Sequence, residues 1–143
     1  MSTKSFFYLS VQVLSIAFLL VTGNFYPENN ILKFIEVIAV LVGAWAIWAM
    51  RNHFNVFPEV RSNAEMLLEG PYAFVRHPMY SVQYLIGAIL IIDSFSFSRL
   101  VAYIFLCLAL TAKTIYEEKL LSKAFPTYEN YKTQTKAIIP FLF

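Results

Sequence analysis

The sequence predicts an all-α integral membrane protein: a single domain over residues 1–143 built as a bundle of about four transmembrane helices. Three observations predict it. Hydrophobic residues make up 59% of the chain and charged residues only 14%, whereas a soluble domain carries about 25% charge. That leaves too little charge to cover a water-facing surface. The apolar residues also gather into four stretches, over 6–21, 34–50, 78–92 and 100–116. Finally, Val37–Met50 is apolar on every face; a barrel strand would alternate, which leaves helices as the way to satisfy backbone groups in lipid. The four glycines form neither a G-x-G-x-x-G nor a P-loop, so a nucleotide-binding α/β domain is excluded.

The first stretch follows Lys4 and has the outline of a signal peptide, but no A-x-A site follows it, so it reads as a retained helix. The second carries Ala39 and Gly43, a small-xxx-small spacing that suits close helix contact. The third opens on Pro78, well placed at a first helical position where its missing N–H costs nothing. At 1.5 Å per residue this third stretch reaches about 22 Å, short of a hydrocarbon core about 30 Å thick. The fourth runs without a breaker into Glu117 and Glu118.

If the helices alternate in direction, the N-terminus, the 51–77 loop and the C-terminal tail share one side. That side holds nine of the eleven lysines and arginines, leaving only Lys33 and Arg99 opposite. The positive-inside rule then makes the protein multi-pass with both termini cytoplasmic. The cytosolic loop 51–77 and the tail 117–143 hold most of the polar residues, and they are expected to form the site.

Two places concentrate chemistry there. Arg76 and His77 precede Pro78, beside the free N–H groups and positive dipole end of a helix, an arrangement suited to an anion. A lipid-headgroup anchor with His77 as a cap is the plainer reading. Lys113 and Glu117 lie four apart on one helix face, at a depth where ionisable groups tend to face a partner or a cavity. Opposite charges from two helices suit a zwitterion such as an amino-acid head group. Tyr72, Tyr80 and Tyr84 add ring faces that attract cations, a sulfonium included; Tyr26 and Tyr103 read as an interfacial belt. Cys107, His53 and His77 are too few and too scattered for a zinc site, so no metal is expected. The net charge of +2 gives no reason to expect nucleic acid.

On these residues the sequence resembles the isoprenylcysteine carboxyl methyltransferase family and its relatives, the integral-membrane phospholipid N-methyltransferases. The motif is Gly70-Pro71-Tyr72-x-x-x-Arg76-His77-Pro78-x-Tyr80, then Glu117-Glu118-x-x-Leu121, Phe125-Pro126-x-Tyr128-x-x-Tyr131 and Ile139-Pro140-Phe141, over about 50–143. The resemblance implies an S-adenosyl-L-methionine-dependent methyltransferase with its cofactor bound from the cytosol. It implies a lipophilic acceptor from the bilayer, a carboxylate such as an isoprenylcysteine-like group. By position it implies a cofactor pocket of Met66, Leu67, Tyr72, His77, Pro78, Met79, Tyr80 and Glu117, and substrate contacts from Lys113 and Arg76. Lys113 stands where relatives methylating prenylated cysteine carry an arginine; it keeps the charge but loses the bidentate fork. A carboxylate acceptor needs no general base, and no catalytic acid or base is named. The alternatives are an NADPH-dependent sterol- or enone-type membrane reductase, and a non-enzymatic membrane scaffold.

Overall fold

The structure, a computed structural model, describes residues 3–51 and 66–138. Within them lie five α-helices, α1 (Thr3–Val21), α2 (Asn30–Met50), α3 (Pro78–Asp93), α4 (Phe97–Ala124) and α5 (Tyr128–Gln134), and a 3₁₀ turn at Gly70–Ala73. Three helices, α1, α2 and α4, are long and apolar enough to cross a membrane. At 16 residues, α3 is about 24 Å long and remains the short member of the bundle. The fold is the expected all-α membrane bundle, with three helices long enough to cross and, as the sequence indicates, a shorter third apolar stretch.

Caps, not apolar runs, set the ends that the sequence misplaces. The Asn29 side chain accepts from the Ile31 and Leu32 N–H groups at 2.8 and 3.4 Å, so α2 starts at 30 instead of 34. The Ser96 hydroxyl accepts from Arg99 N at 3.3 Å and starts α4 at 97. Its far end runs to Ala124, with Pro126 just beyond the cap residue Phe125, a proline position that cannot continue a helix. The helix is thus 28 residues long, reaching past the apolar run at both ends, and both glutamates ride on it as the unbroken sequence there indicates.

In packing, α1 lies chiefly against α4 and α2 against α3, while α3 also contacts α1 and α4. α1 buries Ser5, Gln12, Ser15 and Leu19, and α2 buries Ala39 and Ala46, the small and polar residues that let membrane helices approach. Gly43 shares that face: a Cβ there would touch Val82 of α3 at 3.4 Å. Phe6, Leu14 and Trp48 point outward and are exposed, a lipid-facing surface. Leu19, Leu90, Ile91, Leu106 and Leu110 close the centre.

Several residues read as surface features turn inward. The Tyr103 ring lies so close to Gly87 that a Cβ would sit 2.8 Å from it, and its hydroxyl donates to Tyr84 O at 3.0 Å. This is a clamp between α3 and α4, not a belt residue. The Tyr84 hydroxyl in turn bonds Thr111 Oγ1 at 2.7 Å and Cys107 O at 3.0 Å, which places it in the helix interface and away from the basic cluster. Arg99, counted above as a charge on one face, is only 2% exposed. It donates to Leu19 O, Thr22 Oγ1 and Leu90 O at 2.8, 3.0 and 2.7 Å.

Candidate functional site

At the end of the bundle where α1 and α3 begin and α2 stops, the chain turns through Gly70 (φ 62°) into Pro71 and the 3₁₀ turn. A left-handed φ favours glycine, and the space beside it is filled by the Trp45 indole. Pro78 then opens α3, with His77 as its N-cap residue. The cap residue's side chain makes no capping bond, so the plain reading of His77 as a cap fails. Its imidazole faces α4 instead, with Nδ1 3.3 Å from Glu117 Oε2 and Nε2 3.5 Å from Glu118 Oε1.

The second positive group is also met from within. Arg76 Nε donates to Glu118 Oε1 at 2.7 Å, and its Nη1 donates to Thr135 O at 2.6 Å. The anion expected at Arg76 and His77 is therefore supplied by the chain's own paired glutamates. Arg76 joins α4 to the tail; its guanidinium is already committed there, although the residue borders the cavity described below. Burial works against a charged His77, but its bonds to Glu117 and Glu118 and their charges outweigh it, so its pKa is raised above the ordinary histidine value.

A cavity of about 160 Å³ opens beside these groups, lined by Leu9 and Gln12 of α1, Met50 of α2, Tyr72, Arg76 to Tyr80, Gln83, Lys113 and Glu117. Of the sequence-predicted residues, Tyr72, Arg76, His77, Pro78, Met79, Tyr80, Lys113 and Glu117 meet in this one cavity. Met66 and Leu67 are half-buried but are not among its lining residues. Nor are residues 125–138: the tail braces the site from behind. Its Lys136 and Ala137 carbonyls accept from Arg76 N (2.8 Å) and His77 N (3.0 Å), beside an isolated parallel bridge between Val75 and Lys136. Tyr131 donates to Tyr72 O at 2.5 Å; burial pushes its hydroxyl up to about 12, so it remains a donor across the neutral range. Residues 52–65 of the loop and Ile139-Pro140-Phe141 lie outside the described residues.

Within the cavity wall, the Tyr80 hydroxyl donates to Glu117 Oε1 at 2.6 Å. The Tyr80 ring stacks on His77 (centroids 5.4 Å apart) and has the Lys113 ammonium 5.2 Å from its centre. A ring facing two of the chain's own basic groups does little for a further cation; Tyr80 acts here by aiming Glu117. Lys113 is buried and donates to Gln12 Oε1 at 3.2 Å. Gln12 Nε2 continues to Gln83 Oε1 at 2.7 Å. Leu9, Gln12, Met50 and Gln83 are the lining residues that sequence reasoning missed, and for the glutamines the signal available was a single amide in each of two largely apolar runs.

A second cavity, of about 470 Å³, lies deeper between α1, α2, α3 and α4. Its walls are almost wholly apolar, among them Ile16, Leu20, Val37, Val40, Leu41 and Ile86, with Glu36 as its carboxylate. Gln83 is common to the linings of both cavities. Among the described residues no cluster of histidine, cysteine, aspartate and glutamate is suited to a metal ion.

The model of the isoprenylcysteine carboxyl methyltransferase (ICMT) family matches residues 31–123, starting earlier than the motifs and ending before the Phe125-Pro126 segment. The chain is similar to the nickel-cobalt-cadmium resistance protein NccN of Alcaligenes xylosoxydans xylosoxydans, at 26% identity over 134 residues. That alignment takes in 92% of this chain but 62% of the relative, so the chain spans less than two thirds of that relative's length. No solved structure matches.

Proposed function

The chain belongs to the isoprenylcysteine carboxyl methyltransferase family, and from that premise we propose that it is a membrane-embedded S-adenosylmethionine-dependent methyltransferase acting on a lipophilic acceptor. When bound, the cofactor supplies an electrophilic methyl group on a sulfonium centre. The observation that carries the reading is the seating of Glu117. Its carboxylate borders the cavity with one oxygen fixed by Tyr80 and the other by His77. Each carboxylate oxygen can accept a second bond, so Glu117 suits the ammonium of an amino-acid head group.

The residues present fit the cofactor. Tyr72, Pro78, Met79 and the Tyr80 ring line the same cavity as that carboxylate, a mixed aromatic and apolar wall for the cofactor's remaining parts. The apolar cavity behind Gln83 suits the tail of an acceptor entering from the bilayer, and the first choice is a carboxylate such as an isoprenylcysteine-like group. Such an acceptor needs no base. What the chain contributes is alignment and a water-poor wall: Leu9, Met50 and Met79 line the first cavity, and orientation is a large part of such a barrier.

Titration calorimetry of the detergent-solubilised protein with S-adenosylhomocysteine tests this. Wild type is expected to bind, and Glu117→Gln to bind roughly ten- to 150-fold more weakly, the worth of a hydrogen bond between charged groups (about 1.5–3 kcal/mol). Absent binding by wild type, or equal affinity in Glu117→Gln, would overturn the assignment.

A further inference from the structure

Lys113, Gln12 and Gln83 form a hydrogen-bonded relay from α4 through α1 to α3, and it ends where the polar and apolar cavities adjoin. We propose that Gln83 is the residue that selects the acceptor's head group, presenting N–H donors to a lipophile whose polar end bears a hydrogen-bond-accepting oxygen, a carboxylate above all. The proposal rests on the methyltransferase reading above and deepens it.

The direction of the relay is fixed at its first member. A lysine ammonium only donates, so the Gln12 oxygen must face Lys113 and its NH₂ must face away. At 7% exposure, Gln12 sits where polar groups have to be bonded, and its NH₂ finds the Gln83 oxygen at 2.7 Å. That turns the Gln83 nitrogen away from Gln12, and among the described residues this nitrogen makes no hydrogen bond. Gln83 is half-buried and this nitrogen is not among the buried unpaired atoms, so the donor stays open to a ligand beside the two cavities. A ligand oxygen would match it, with the Lys113 charge behind the relay favouring an anion. An amine head would instead set donors against donors. The competing pull in the apolar cavity comes from Glu36 of α2, so an amine probe tests the opposite preference.

The experiment measures binding of two matched probes to the solubilised full chain by titration calorimetry, with and without S-adenosylhomocysteine. One probe is N-acetyl-S-farnesylcysteine, with a carboxylate; the other is S-farnesylcysteamine, with an amine. Wild type is expected to prefer the carboxylate. Gln83→Met, close in volume, is expected to weaken the carboxylate probe about tenfold or more and leave the amine probe within about twofold. Gln83→Glu is expected to reverse the preference. Equal binding of the two probes by wild type, no binding of the carboxylate probe, or an unchanged carboxylate affinity in Gln83→Met overturns the proposal. Loss of S-adenosylhomocysteine binding by wild type overturns the methyltransferase reading instead, and the probe preference measured without it still decides the role of Gln83.

Discussion

Replacing Arg99 by Met tests the fold where it departs most from its sequence. The guanidinium is buried and donates to carbonyls in the last turns of both α1 and α3, and to the Thr22 hydroxyl. It therefore sits on two negative dipole ends, a placement worth up to about 2 kcal/mol each in favourable geometry. Three bonds from a charged donor would contribute about 1.5–3 kcal/mol apiece. Against that stand the desolvation of the ion and Arg99 Nε, which is buried without a partner among the described residues. Met keeps the apolar stem and removes the charge, leaving two carbonyls and a hydroxyl without their donor, so the expected net loss is about 3 kcal/mol once the recovered desolvation is set against the three bonds. SDS-titrated unfolding followed by circular dichroism reads it. Gly23→Ala supplies the matching perturbation without touching the arginine, because its Cβ would lie 2.2–2.5 Å from the guanidinium. Both variants should unfold at lower SDS. A loss below about 1 kcal/mol in Arg99→Met would refute the reasoning, since the three bonds would then be offset by desolvation alone.

Two further outcomes follow from the geometry. Gly87→Ala places a methyl 2.8 Å from the Tyr103 ring; overpacking of this kind should cost about 1–3 kcal/mol in the same unfolding assay, and a neutral result would mean that α3 and α4 separate freely there. For His77, the folded pKa lies above the unfolded value of about 6.5. Its contribution to stability is then fully present below about pH 6.5 and is lost as pH rises through the folded value. The unfolding midpoint should therefore fall on the alkaline side in wild type and lose that dependence in His77→Gln; a profile identical in the two proteins would sink the assignment of His77 as an imidazolium between two carboxylates.

Local signals were the legible ones. Pro78 starting α3, Gly70 turning the chain and Gly43 facing a neighbour each follow from what a single residue type can do. The gathering of Tyr72, His77, Met79, Tyr80 and Glu117 was legible through motif resemblance. What stayed hidden depended on partners far along the chain. Arg76 finds Glu118 42 residues away and Gln12 finds Lys113 101 residues away, so the sequence shows charges and amides but not that they satisfy one another. Arg99 was hidden for the same reason, its partners being backbone carbonyls that every sequence possesses. The cap at Asn29 lay outside an apolar run that seemed to begin at Phe34, and the tail's bracing of the motif backbone passes through main-chain groups that no side chain announces.

The site is walled by helices of unlike standing. Glu117, Tyr80 and His77 fall inside the stretch shared with the family, residues 31–123, whereas α1 precedes it and still contributes Leu9 and Gln12 to the same hollow. One side of the hollow thus lies within the family-matched stretch, while α1, outside it, supplies part of the wall. A change confined to α1 therefore reshapes this hollow without altering Glu117, Tyr80 or His77.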